Sequence, residues 1–376
     1  MRLPLFALAL ALATGGIVLP LGVGEAGAFS IASSLDPGRL AGLLAVVTGG
    51  LACCAFAPRP ALRGLGLLAA ALALAAAQMH VLKGSTGVVG GPAAGAYFVT
   101  LALSLSLIGC ALLLSDGVLD PGGVLAPALC FVLVVYVWEA ATILYAIPRI
   151  LLPAPSAIGA RLVQQWPTLE ADFVQTVIRA AIPGWILGSL VGFLAGLAVD
   201  RFVRLSTAFQ LLGGLLSVIP ILAVAPIMVL WLGFDWQSKV AVAALMTFFP
   251  MFTATIAGLA ATGPTERDLM QSYAASYGQT LRLVRLPVAL PFIFSALKLN
   301  VPAAMVGAMI AEFFGTPIVG LGFRIASESG RLSFDIVWAA IALASAFSLA
   351  LYAAVVVVDR LVTFWHPSHR NSRRPA

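Results

Sequence analysis

The sequence predicts an all-α, polytopic membrane protein with about ten transmembrane helices. Hydrophobic residues make up 61% of the 376 and charged residues 10%, well under the roughly 25% charged content of soluble domains. Mean hydropathy is +1.05. Apolar runs long enough to cross a ~30 Å hydrocarbon core recur along the chain. They are too long and too evenly apolar to be the alternating strands of a membrane barrel, and helices satisfy their own backbone groups where water is absent. The net charge of +6 comes from 18 arginines and 3 lysines scattered without a basic stripe or interleaved aromatics. That pattern excludes a nucleic-acid partner and fits charges lying beside membrane lipid.

Taken in order, the first run is 3–23. Arg2 before it and Ala26-Gly27-Ala28 after it resemble a signal peptide, but its length favours a span over the ~7–15 apolar residues of a signal core. Runs 40–57, 64–82 and 96–114 follow, rich in Ala, Leu and Gly and without functional signal. Cys53, Cys54, Cys110 and Cys130 lie inside apolar runs with no C-x-x-C spacing, so they read as small hydrophobes. His80, His366 and His369 fall at span ends or in the tail. No metal site and no cofactor are expected.

The texture changes after Asp120-Pro121-Gly122-Gly123. Residues 1–123 therefore read as an accessory four-span region, 124–365 as a core of six spans, and 366–376 as a basic tail. The core runs are 124–147, 176–199, 208–232, 239–261, 292–315 and 335–358. Glu139 lies within the first of them. Pro148 to Gln175 reads as part loop and part short surface helix, with Pro155 near its start. Gly188, Gly192 and Gly196 stand four apart on one face, the small-xxx-small pattern of close helix packing. Pro183, Pro220, Pro226, Pro250 and Pro302 predict kinks. With both termini cytoplasmic, inside segments carry twelve basic residues and outside segments eight, the bias of the positive-inside rule. That orientation places the loop 262–291 in the cytoplasm.

The loop is the polar interruption. Thr265 with Asp268 fits a capping box with Asp for Glu, and Gly278 offers a left-handed stop, which predicts a helix over about 266–277. Leu269, Met270, Tyr273 and Tyr277 then share a face, while Arg267, Gln271 and Ser272 lie elsewhere. By its pattern alone such a helix serves either a lipid interface or a protein partner.

The residues from Asp268 to Ile293 resemble the signature loop of ABC importer permeases, whose short coupling helix inserts into the ATPase subunit. The closing Leu286-Pro287-Val288-Ala289-Leu290-Pro291-Phe292-Ile293 matches the family's LPxALPxI. Counting back puts Asp268 at the family's Glu, Leu269 and Met270 at its two Ala positions, and Ala274 at its Gly. A shifted register would instead put Gly278 at the Gly and Ser272 at the acid. Further matches to permeases of the nitrate, sulfonate and taurine type are Trp138-Glu139, Leu151-Leu152-Pro153-Ala154-Pro155-Ser156, Ile219-Pro220, Ala311-Glu312-Phe313-Phe314 and Gly320-Leu321-Gly322-Phe323.

The resemblance implies a type I importer permease in the cell inner membrane that is not itself an enzyme. Its partners would be a separate ABC ATPase, an extracytoplasmic substrate-binding protein and a second permease copy. The coupling residues would be Asp268, Leu269, Met270, Ser272, Tyr273, Ala274, Tyr277 and Gly278. The chain has no GxxxxGK[ST], so phosphate chemistry falls to the partner. Arg267, Arg282 and Arg285 are candidates for pairing with acids of the ATPase or with lipid headgroups. Glu312 and Glu139, acids in or near spans, are candidates for the translocation path or its gate. The alternative is a secondary, ion-coupled transporter, which would use mid-membrane acids and often internal repeats. An intramembrane enzyme is excluded by the absence of HExxH, GxSxG and any in-span His beside a nucleophile.

Overall fold

The computed structural model describes residues 13, 17–19, 22–24, 27–56, 60–84, 125–202, 221–315 and 318–365. Inter-residue contacts divide the chain into two compact units, Met1–Ala157 with Arg373–Ala376, and Ile158–Ser372.

The first unit opens with a small antiparallel hairpin, β1 (Gly22–Gly24) and β2 (Gly27–Phe29). The run 3–23 thus ends in extended backbone rather than helix, and most of its earlier residues lie outside those described. Helices α1 (Ile31–Ser34), α2 (Pro37–Phe56), α3 (Pro60–Gly84) and α4 (Leu125–Leu144) follow. Run 96–114 lies outside the described residues. Helices α2 and α3 approach closely because Gly50 and Gly66 face each other, where a Cβ on either would strike the other's carbonyl. Val47, Leu51, Leu67 and Leu74 form a buried core with Leu129 and Ala140 of α4, and the Tyr136 hydroxyl donates to Gln78.

Helix α5 (Pro155–Gln164) bridges the sequence between the units and starts at the proline expected to open it. The second unit continues with α6 (Trp166–Arg201), α7 (Ile221–Leu232), α8 (Trp236–Ala260), α9 (Pro264–Ser272), α10 (Tyr277–Phe314), α11 (Leu321–Gly330) and α12 (Phe334–Val362). Five helices among the described residues are long and apolar enough to cross a membrane: α4, α6, α8, α10 and α12. Only the second half of run 208–232 is described, as α7.

Helices α6 and α10 begin ten to fifteen residues earlier than their apolar runs. Each contains a π segment, Val174–Ala181 and Leu281–Arg285, ending two residues before Pro183 and Pro287. A proline ring would strike the carbonyl four residues back, and a widened turn relieves that clash without ending the helix.

The glycine face of α6 packs on α8 as expected. A Cβ on Gly188 or Gly192 would overlap the carbonyl of Ala244 or Phe248, and one on Gly196 would press on Thr255. Small residues let two backbones meet, and dispersion then holds helices that lipid gives no hydrophobic reason to associate. Pro250 breaks the ladder within α8. Buried Asn300 of α10 donates to the Thr247 carbonyl beside that break at 2.8 Å, and to Ser189 of α6 at 3.0 Å. One amide thus joins three helices at the kink.

Candidate functional site

The loop end of the second unit is built on one ion pair. Asp200 closes α6, where a carboxylate meets the unfavourable end of the helix dipole. Arg285 offsets this with a two-pronged contact, 2.6 Å to Oδ1 and 2.7 Å to Oδ2. Such a fork is stronger and more directional than a single bond. The same guanidinium donates to the Leu259 carbonyl near the end of α8. Tyr277 donates its hydroxyl to Asp200 at 2.8 Å, and Arg201 lies 4.8 Å over its ring. Helices α6, α8 and α10 are tied together just beneath the loop.

Above this anchor, α9 carries no buried residue. Pro264 occupies its first position behind the cap Gly263, and Glu266 sits in the first turn, where the dipole favours an acid. The helix stops at Ser272, not at 277. Ala275 N–H bonds the Met270 carbonyl at 3.0 Å and Ala274 N–H bonds that of Gln271 at 2.8 Å, the Schellman pair, with Ala274 left-handed at φ 53°. Ser276 then caps α10 through a capping box with Gln279. The stop expected at Gly278 is therefore replaced by Ala274, the box expected at Thr265–Asp268 is replaced by Gly263 and Pro264 with no side-chain cap, and the capping box that does form, Ser276–Gln279, opens the next helix. Propensity hid this, because alanine favours helix and resists positive φ.

Each expected coupling residue can now be placed. Asp268, Leu269, Met270 and Ser272 ride on α9, Tyr273 is its cap and Ala274 its turn. Leu269 is 53% and Tyr273 76% exposed, an apolar tip with nothing over it among the described residues. Tyr277 and Gly278 open α10 instead, and Tyr277 is engaged by Asp200, so the four-residue face is split. Of the arginines, Arg285 is committed internally, Arg267 donates to the Ala260 carbonyl at 3.1 Å, and Arg282 is exposed.

At the far end of the second unit, Glu312 is 1% exposed. It accepts from Thr176 Oγ1 at 2.7 and 2.9 Å and from the Gly322 N–H at 2.7 Å. Leu321 N–H donates to Thr176 at 2.7 Å, and Gly320 N–H to Asp172 at 2.8 Å. Three successive N–H groups at the start of α11 thus meet an oxygen each, as helix N-termini favour. Arg324 pairs with Asp172 at 2.7 Å. Gly320, at φ 143°, has no room for a Cβ against the Glu312 carboxyl. A cavity of about 500 Å³ opens beside the π segment of α6, bordered by Glu170, Gln175, Arg179 and Asp235. Glu312 is thus placed in a latch of α6, α10 and α11.

In the first unit, Glu139 accepts from the Ser156 N–H at 2.8 Å and from its hydroxyl at 2.5 Å, capping the start of α5. Sequence reasoning missed Asp200, Asp172, Thr176 and Asn300. Asp200 and Asp172 had a usable signal as rare acids at the ends of an apolar run.

The family described as binding-protein-dependent transport system inner membrane component matches residues 188–367. A probable ABC transporter permease protein of Haemophilus influenzae is 29% identical over 231 residues, 61% of this chain and 94% of that protein. The formylaminopyrimidine transport permease protein of Halalkalibacterium halodurans is 29% identical over 64% of this chain and 96% of its own length. The taurine transport system permease protein of Escherichia coli is 27% identical over 61% and 86%. More than a third of this chain therefore lies outside each match.

Proposed function

We propose, from the membership of residues 188–367 in the family of binding-protein-dependent inner-membrane transport components, that this chain is the membrane-spanning subunit of an ATP-driven importer. It conducts a small solute and draws its energy from a separate ATPase docked on α9. Relatives named for taurine and formylaminopyrimidine transport set the size of solute to expect. A binding protein outside delivers it, two copies of the chain enclose the path, and the loop and both termini face the cytoplasm of an inner-membrane protein. Residues 1–123 are an accessory region added to the transport core.

The observation that carries this reading is the tip of α9. Leu269 and Tyr273 stand exposed at the end of α9, which is tied to the end of α8 by Arg267 and the Ala260 carbonyl and leads directly into α10, itself pinned to α6 and α8 by Asp200, Arg285 and Tyr277. Aromatic and apolar anchors dominate interface energies, and these connections carry a push on the tip into the spans. Coupling requires that the ATPase contact this tip differently in its open and closed states. The ion-coupled alternative is less well supported, since Glu312 and Glu139 are both occupied by donors of the protein itself.

The test is the double substitution Met270→Asp with Tyr273→Asp in proteoliposomes holding the complete transporter. ATP-dependent uptake and ATPase co-purification should both fall at least tenfold while membrane insertion is unchanged. Retention of both at wild-type levels would overturn the assignment, and uptake driven by a pH gradient without ATP would establish the alternative.

A further inference from the structure

A cavity of about 460 Å³ lies between α10 and α12, lined by Pro302, Met305, Met309, Ser345, Ser348 and Tyr352 among others. Pro302, Met305 and Met309 fall at i, i+3 and i+7 of α10, and Ser345, Ser348 and Tyr352 at i, i+3 and i+7 of α12, so each set forms one stripe. Both stripes lie within about three turns of the middle of the 29-residue segments that carry them. Transport sites sit at this depth, where lost helical bonds expose backbone, and Pro302 inside α10 leaves one carbonyl without its helical donor.

The hydroxyls distinguish the cavity from a lipid-facing groove. Thr48, Thr247, Thr253, Thr255 and Ser295 all donate to carbonyls of their own helix, the usual resolution for a hydroxyl in hydrocarbon. Ser345, Ser348 and Tyr352 have no hydrogen-bond partner among the described residues. Three free hydroxyls on one wall, facing two thioethers and a proline, make a surface for an apolar body with a few polar edges.

Charge decides the class of solute. No Asp, Glu, Lys or Arg lines the cavity. On the α10 stripe one turn toward the loop stands Lys298, bound to Asp359 of α12 at 2.9 Å, and Asp359 also accepts from Thr363. This pair stands on the loop side of the cavity without lining it, and among the described residues it leaves no unpaired lysine there for an anionic group. At the other end of α10, Glu312 is held in its latch. Moving an ionised group to this depth costs several kcal/mol unless a counter-charge waits there.

We propose that this cavity is the mid-membrane solute site and that it takes an uncharged, ring-containing solute with hydrogen-bonding edges rather than a sulfonate or other anion. The volume is about three times the ~150 Å³ that accepts one benzene, room for a two-ring body. The Lys298–Asp359 pair stands just beyond it on the loop side. This deepens the permease reading and rests on it for direction of transport, though not for binding.

The test measures binding to the full chain in lipid nanodiscs by equilibrium dialysis, with naphthalene-2-sulfonamide and naphthalene-2-sulfonate, two probes of matched shape and different charge. The sulfonamide should bind at least tenfold more tightly, and Ser345→Phe, which fills the cavity from an exposed position, should weaken it at least tenfold. If Ser345→Phe loses its monodisperse gel-filtration peak, Tyr352→Phe takes its place and should weaken the sulfonamide about threefold. Equal binding, no binding, or tighter sulfonate binding that disappears in Lys298→Gln overturns the proposal. Since the dialysis needs no ATPase, failure of ATP-driven uptake in the complete transporter with intact sulfonamide preference in the dialysis counts against the permease reading alone. The reverse result counts against the cavity alone.

Discussion

Ala274→Gly should strengthen the turn that ends α9. An L-residue held left-handed costs about 1–2 kcal/mol, and Ala274 sits at φ 53° with its side chain exposed, so no packing contact is lost on truncation. Glycine removes that cost but gives back about 0.5–1 kcal/mol of backbone entropy. The net gain is about 0.5–1 kcal/mol, or roughly two- to fivefold in the closing equilibrium of the helix end. Amide hydrogen exchange over 264–276 reads this directly, because loops open locally at far less free energy than the spans. Exchange should slow about two- to fivefold in Ala274→Gly and accelerate in Ala274→Val, whose branched Cβ tolerates positive φ worst. Unchanged or faster exchange in the glycine variant would refute the Schellman ending.

Two further outcomes follow from the ion pair and the latch. Asp200→Asn should lower the melting midpoint by more than Tyr277→Phe, because the first leaves Arg285 short of its fork and the second removes one charge-assisted bond worth about 1.5–3 kcal/mol; the order is checked by thermal unfolding in detergent. Thr176→Val should destabilise the second unit by about 2 kcal/mol, leaving the Leu321 N–H without an acceptor and Glu312 with the Gly322 N–H as its remaining donor. Thr176→Ser should restore most of the loss in the same assay.

The five long spans among the described residues were legible because the bilayer imposes length and composition on any helix that crosses it. The glycine face of α6 was legible for a related reason, since close approach permits few residue types. The loop was read correctly as a short helix carrying Leu269 and Met270 with Tyr273 at its end, but the side-chain cap expected at Thr265–Asp268 does not form and the end was misplaced by five residues. Alanine at position 274 carries no signal for a left-handed turn, and Gly278 carries a false one. What the chain's order concealed is pairing at a distance: Arg285 meets Asp200 across 85 residues and Glu312 meets Thr176 across 136. Each partner looks like an isolated polar residue until the helices are set side by side. The early starts of α6 and α10 were hidden because a proline usually marks a boundary, and here the π turns carry the helix past it.

Helix α10 runs unbroken for 38 residues, about 57 Å at 1.5 Å per residue. That is nearly twice the thickness of the hydrocarbon layer, so one end must stand well clear of the lipid. Its first residue grips Asp200 and its last turn carries Glu312. A single rod therefore has a bearing at each end, and Pro291 and Pro302 are joints along its length. Tilting the rod at one bearing must load the other without any relay of side chains between them.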